Sequence, residues 1–212
     1  MNTILIGIIV ANVLVSYKGF NDLSFFRKYE FHVGSIRSGE QIRMLTSGFL
    51  HVDMMHLIFN MLTLCFFAPD VINYLGAVSF LLIYFGSLIF GNLLTMLFHK
   101  NDYSYRAVGA SGAVTGVLYS AILLFPNSEV GLYFVIPMPA FVFGIFYLLY
   151  SIYGMKAKND NIGHTAHFGG AIGGYLITLT KEPSLFYDHS LTVILLAMPI
   201  VILFVMAKLG KL

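Results

Sequence analysis

Between Met54 and His99 the chain carries one formally charged residue, Asp70. A helix crosses a bilayer core of about 30 Å with roughly 20 apolar residues, so this run is long enough for two crossings. The pattern recurs along the chain. Seven apolar segments are read, at about 2–17, 53–69, 72–98, 108–125, 130–153, 163–181 and 190–208. Backbone groups in lipid must be satisfied internally. Continuous apolar runs, rather than alternating stretches of about ten residues, select helices over a barrel. Composition agrees: 58% of residues are hydrophobic and 10% charged, against about 45–50% and about 25% in soluble domains. Mean hydropathy is +0.83. The expected fold class is an all-α polytopic membrane protein, with 1–212 forming a single transmembrane domain. A soluble globular enzyme, a disordered chain and a nucleic-acid-binding module are excluded. Lys and Arg exceed Asp and Glu by only 12 to 10, so no basic footprint for nucleic acid exists. Cys65 is the lone cysteine, which leaves no intramolecular disulfide and no reading of the redox compartment.

The segment boundaries carry their own signals. Pro69-Asp70 is expected to turn the chain between the second and third segments. Pro126-Asn127 and Glu129 separate the fourth from the fifth, and Lys156, Lys158 and Asp160 the fifth from the sixth. The first segment has no Lys or Arg ahead of its apolar stretch and no clear cleavage site, so it reads as a span and not a secretory signal. No soluble domain is expected before or after the bundle. The region 18–50, with Gly19, Gly34 and Gly39, is long for a plain connector. It is expected to be functional or folded on the membrane surface.

Parity places the starts of the second, fourth and sixth helices on one membrane face. The loops on that face and the tail after 208 carry 11 of the 12 Lys and Arg; Lys181 alone lies opposite. The positive-inside rule would place that face in the cytoplasm.

Polar residues at membrane depth are functional candidates, and three sets sit at that one face. The second helix begins with His51, His56 and Asn60. The fourth begins Gly109-Ala110-Ser111-Gly112, and the sixth Gly163-His164-Thr165-Ala166-His167-Phe168-Gly169-Gly170. His56 and Asn60, four apart, share a helix face. Gly112 and Gly116 form one stripe of small residues, and Ala166, Gly170 and Gly174 another. Such stripes let helix backbones touch. If helices four and six pack through them, His167 comes within reach of Ser111. A serine hydroxyl is a weak nucleophile until a base takes its proton, and His167 can serve as that base and later as the acid. No carboxylate lies at the same depth; Asp53 sits at the helix mouth. A Ser–His dyad is therefore the economical reading. His56, Asn60 and the Ser111 N–H can donate to a developing oxyanion, each donor being worth about 3–4 kcal/mol.

Taken singly, each motif has a bland reading. A serine among glycines is a packing contact, and a buried histidine pair is interhelical glue. Three motifs at one depth favour a site. A metal centre from His51, His56, His164 and His167 is disfavoured: His51 and His56 are five apart, off one helical face, and no His-Glu-x-x-His motif is present.

At these residues the sequence resembles the rhomboid intramembrane serine proteases. The match consists of His-x4-His-x3-Asn at His51, His56 and Asn60, Gly-Ala-Ser-Gly at Gly109–Gly112, and Ala-His-x-x-Gly at Ala166–Gly170. It spans roughly 40–180. The resemblance implies a rhomboid-like six-helix core, about 1–181, with a seventh transmembrane helix after it at about 190–208. It implies Ser111 as nucleophile, His167 as general base, and His56, Asn60 and Ser111 N–H as the oxyanion hole. His51 would stabilise the first loop, and Gly170 would be the small residue facing the serine. The substrates implied are single-span membrane proteins in a lipid bilayer, cut near small residues where the helix unwinds. No metal or cofactor is implied.

Three positions depart from the family pattern. The first-loop Trp-Arg is represented by Ile42-Arg43, and the chain has no tryptophan. The aromatic residue four places after the serine, which stacks on the catalytic histidine, is Thr115. Tyr119, one turn on, would substitute only if the helices shifted. His164 is an additional imidazole, expected to hydrogen-bond on the first-loop side. The resemblance also implies a site opening away from the cytoplasm, opposite to the charge count.

The reading is an intramembrane serine endopeptidase in a bacterial cell membrane. The fifth helix and the loop Gly154–Ile162 would form its lateral gate. The competing reading is a non-proteolytic rhomboid-like protein that binds transmembrane segments. A small transporter is weaker, since no internal repeat is evident.

Overall fold

The computed structural model describes the chain at 2–132, 136–157 and 162–212. Among the described residues seven helices are long: α1 (Thr3–Asn21), α2 (Met54–Leu75), α3 (Ala77–Phe98), α4 (Ser111–Leu124), α5 (Ala140–Ala157), α6 (His164–Lys181) and α7 (Ser190–Lys208). By length and composition α1, α2, α3, α5 and α7 are each able to cross a membrane. α4 is shorter, at 14 residues, and α6 is glycine-rich with polar residues at its start. The protein is an all-α, multi-pass integral membrane protein.

All of α4 beyond its first residue is buried, from Gly112 to Leu124. It is the central post of the bundle, packed between α2, α3 and α6. The contact with α6 is made by backbone. A Cβ added at Gly170 would overlap the backbone of Gly112, and one at Gly174 that of Gly116. On α3, a Cβ at Gly91 would lie 2.6 Å from the Ala166 carbonyl oxygen. The four glycines of α6, Gly169, Gly170, Gly173 and Gly174, each weaken an isolated helix by about 1 kcal/mol relative to alanine. Close helix approach offsets that loss in lipid.

Two expected boundaries are corrected. α2 runs through Pro69 and Asp70 to Leu75, and the break comes at Gly76, whose φ is +83°. A proline removes one helix hydrogen bond, and a membrane helix tolerates that where its neighbours re-satisfy the freed group. The sharp reversal into α3 instead uses the left-handed conformation open to glycine. The fifth segment does not begin as a helix at 130. Strand β3 (Glu129–Leu132) pairs antiparallel with β4 (Ile136–Pro139), with Glu129 opposite Pro139, and α5 starts only at Ala140. Pro137 and Pro139 deny the interior helix hydrogen bonds that an earlier start would need. Lys158 and Asp160, read as part of the fifth-to-sixth boundary, lie outside the described residues, as does part of the suggested gate loop.

The long first connector is folded, as one of its two expected forms required. It holds short helices at Leu23–Tyr29, Val33–Arg37 and Arg43–Thr46 and a 3-10 turn at Ser47–Phe49. Its strand β1 (Phe31–His32) pairs antiparallel with β2 (Arg106–Ala107), just ahead of Ser111. Arg43 is buried at its centre. Its guanidinium donates to Glu40 Oε2 at 2.6 Å, to the Arg27 carbonyl at 2.8 Å and to the Glu30 carbonyl at 3.1 Å. The Glu30 carboxylate is buried and pairs with both Arg27 and Arg106. The connector is thereby tied to the strand that delivers Ser111.

Candidate active site

Ser111 opens α4. The residue two before it, Gly109, has φ +129°, a conformation that side chains rarely adopt. A Cβ there would come within 2.7 Å of His56 Cε1, 2.8 Å of His56 Nε2 and 3.7 Å of Ser111 Oγ. Gly109 is thus the gap through which the His56 ring and the serine hydroxyl approach each other. The Gly109 N–H donates to the Ser47 carbonyl at 3.0 Å, which fixes the turn on the first connector. Ser111 begins the helix, so its own N–H has no intrahelical acceptor.

His51 supports the same turn from below. Its Nε2 accepts from the Ala110 N–H at 3.4 Å, and its Nδ1 lies 2.8 Å from Ser16 Oγ. The Ser16 hydroxyl donates to the Phe49 carbonyl at 2.9 Å. These directions make Nδ1 the protonated nitrogen of a neutral ring. Burial, and then the neighbouring His56, push His51 down to about 3, with Asp53 opposing, so it stays neutral. The His51 and His56 rings meet edge to face with centroids 4.9 Å apart. Asp53 caps α2 by accepting from the His56 N–H at 2.7 Å. The Asn60 amide donates to the His56 carbonyl at 2.8 Å.

His167 stands one turn into α6. Its neighbour is not on α4. Tyr147 of α5 lies with its ring near-parallel to the imidazole, at 19° and 6.0 Å between centroids, and Tyr147 Oη is 3.0 Å from His167 Nδ1. The same oxygen is 3.1 Å from Thr115 Oγ1. Tyr119 does not substitute for the missing aromatic, because its hydroxyl donates to the Gly144 carbonyl of α5. His164 lies against α5, where its ring occupies the space a side chain at Gly154 would need and meets Tyr150 edge to face at 5.4 Å.

Ser111, His167, His56, Asn60 and Gly109 line one cavity of about 1310 Å³. Gly112 and Gly170 form the backbone contact behind it. Among the described residues no hydrogen bond joins Ser111 Oγ to His167 directly, and such bonds often tighten only when substrate is bound. The cavity continues between α2 and α5 past Phe59, Leu62, Phe66 and Phe143, towards Asp70 and Glu129 at the opposite end of the bundle from Ser111.

Sequence reasoning missed Tyr147 and Ser16. Ser16 carried no signal, being one hydroxyl in an apolar helix. For Tyr147 the signal was indirect. A short Thr115 where a ring belongs leaves room beside His167 that some other side chain must fill.

Helices of this order around a buried fourth helix, with a serine at its mouth facing a histidine-bearing sixth, define a polytopic membrane protein of the rhomboid class. The Rhomboid domain model matches residues 38–183, and the chain belongs to that family. It is 36% identical over 145 residues to the putative rhomboid protease YdcA of Bacillus subtilis, covering 68% of each chain. It is 28% identical over 185 residues to the mitochondrial RHOMBOID-like protein 12 of Arabidopsis thaliana, covering 79% of this chain and 55% of that one. The rhomboid protease GluP of Bacillus subtilis is 32% identical over 140 residues, 66% of this chain and 26% of GluP. The chain thus spans about half the length of the plant relative and about two thirds of YdcA.

Proposed function

We propose that the chain is an intramembrane serine endopeptidase that cuts single-span membrane proteins in or near their transmembrane segments. The observation that carries this reading is the convergence of Ser111, His167, His56 and Asn60 on one cavity that continues into the gap between α2 and α5. Ser111 Oγ attacks the substrate carbonyl carbon and its proton passes to His167. The carbonyl oxygen, now an oxyanion, takes hydrogen bonds from the His56 ring, the Asn60 amide and the Ser111 N–H. The C–N bond breaks as His167 protonates the leaving amine. Water then attacks the acyl ester, gives a proton to His167, and Ser111 regains its hydrogen. This chemistry calls on no metal or cofactor. We place the enzyme in a bacterial cell membrane, with 1–212 acting as one transmembrane domain.

The test is cleavage of a generic single-span substrate in detergent and in liposomes, with wild type beside Ser111→Ala and His167→Ala. Cleavage by wild type alone establishes the dyad. Equal cleavage by all three identifies a contaminant. A folded wild type that cuts none of several substrates overturns the reading and favours a protein that only binds transmembrane segments.

A further inference from the structure

We propose that Tyr147 is the positioning residue of the dyad: it selects the Nδ1–H tautomer of His167 and so leaves Nε2 as the nitrogen that accepts the serine proton. This rests on the proposed proteolytic reading for its purpose, but the tautomer itself can be observed without cleavage. An imidazole offers one lone pair when neutral, and which nitrogen carries it is set by the partner of the other. Tyr147 Oη lies 3.0 Å from Nδ1. If Nε2 is to take the Ser111 proton, Nδ1 must carry hydrogen and donate to Tyr147 Oη. The tyrosine hydroxyl hydrogen then points to its other neighbour, Thr115 Oγ1, at 3.1 Å. With Nδ1 as the donor, the chain runs one way, from His167 to Tyr147 to Thr115. When His167 becomes an imidazolium, its Nδ1–H bond to Oη becomes charge-assisted and strengthens. The two rings are near-parallel, at 19°, with this hydrogen bond between their edges, so the bond itself sets the imidazole plane.

Thr115 has a double role here. It is small enough to leave room for the tyrosine ring, and its hydroxyl closes the relay. Tyr147 is half-buried, bonded to α4 and α6 from α5, an element different from both dyad members. A side chain on the helix between the two motifs thus does the work that a carboxylate does in a three-membered arrangement, orienting the base without taking a proton from it.

The experiment uses the full chain in detergent, with 15N-labelled histidine rings. His167→Gln identifies the His167 signal. Wild type is expected to show protonated Nδ1 and unprotonated Nε2 at neutral pH. Tyr147→Phe keeps the ring and removes the hydroxyl; it is expected to shift His167 to a tautomer mixture and lower kcat about a hundredfold with KM unchanged. Thr115→Val should lower kcat in the same direction, and Thr115→Ser, which restores the hydroxyl, should recover it. Thermal unfolding establishes that each variant is folded. A wild-type signal with Nε2 protonated overturns the proposal. So does a Tyr147→Phe variant with unchanged tautomer and kcat. If wild type shows the expected tautomer and Tyr147→Phe loses it while no substrate is cut, tautomer selection stands and the proteolytic reading is what fails.

Discussion

The two sides of α4 are packed by opposite means. Towards α6 the contact is backbone on backbone, Gly112 against Gly170 and Gly116 against Gly174, with no side chain able to enter. Towards α5 it is made by side-chain hydroxyls, Tyr119 to the Gly144 carbonyl and Thr115 to Tyr147. A backbone seam has no rotamers, so it fixes the height and spacing of the helices that carry Ser111 and His167. A hydroxyl contact has direction but yields, so it can orient a ring and still allow α5 to move. Position and orientation of the proposed pair, Ser111 and His167, thus come from different walls of the bundle.

The largest effect is expected from breaking the rigid side. Gly170→Ala places a methyl where the Gly112 backbone stands, and neither helix can give way without moving the other. A loss of about 3 kcal/mol, the upper end for overpacking, is expected, read as a steep fall in unfolding temperature in detergent together with loss of cleavage. A folded Gly170→Ala protein with full activity would show that the seam is looser than its backbone contacts imply.

The next largest concerns the turn between the two walls. His51→Ala removes the acceptor of the Ala110 N–H and the neighbour of Ser16. Each buried group left unpaired costs about 1–3 kcal/mol. The same residue sets a pH dependence. His51 is held near 3 in the folded protein against an ordinary value of 6.5. The unfolded chain therefore binds a proton that the folded chain refuses as pH falls from about 6.5 towards 3. Stability contributed by neutral His51 is present above pH 6.5 and is lost on acidification, by about 1.4 kcal/mol per pH unit at the steepest. Unfolding temperature measured from pH 7 to pH 4 should fall, and fall less in His51→Gln. Equal slopes in the two proteins would assign the acid sensitivity elsewhere.

What the sequence made legible follows the same division. The small-residue stripes at Gly112 and Gly116 and at Ala166, Gly170 and Gly174 predict the α4–α6 seam because a glycine repeat at helical spacing has one good use in lipid. The last apolar segment, 190–208, is the observed α7. The α5 wall was not legible. Tyr147 sits in the aromatic stretch Phe146-Tyr147-Leu148-Leu149-Tyr150, where nothing local distinguishes the ring that meets His167 from the ring that faces lipid. Pro69 and Gly76 show a second limit. Proline is the stronger breaker in water, yet a membrane helix absorbs it, and the turn falls at the glycine with positive φ. The late start of α5 follows from Pro137 and Pro139, which an apolar count does not weigh.

A moderate effect is expected where the first connector meets the serine strand. Glu30 is buried with its carboxylate on Arg27 and Arg106, whose side chains are roughly half exposed. Glu30→Gln removes the charge, but both arginines can turn to water, so the loss is about 1–2 kcal/mol and not that of a wholly buried pair. Its signature should be local. Amide exchange is expected to rise at Phe31–His32 and Arg106–Ala107, the β1–β2 pair, with α6 unchanged. A uniform rise across the bundle would mean that Glu30 supports the whole fold and not the approach to Ser111.

The smallest effect is the control that makes the first one informative. Gly144 lies on the α5 side of α4, and a Cβ there would meet Ile122 Cδ1 and Leu196 Cδ2, both at 3.0 Å. These are the ends of flexible side chains and can turn aside, and alanine favours the helix by about 1 kcal/mol over glycine. Gly144→Ala should therefore change stability by no more than about 1 kcal/mol, in either direction, with cleavage preserved. The pair Gly170→Ala and Gly144→Ala adds the same atom on opposite sides of the same helix. If unfolding temperatures fall equally in both, the contrast between a rigid wall and a yielding one is wrong. If only Gly170→Ala collapses, α4 is anchored through α6, and α5 is the wall with freedom to move.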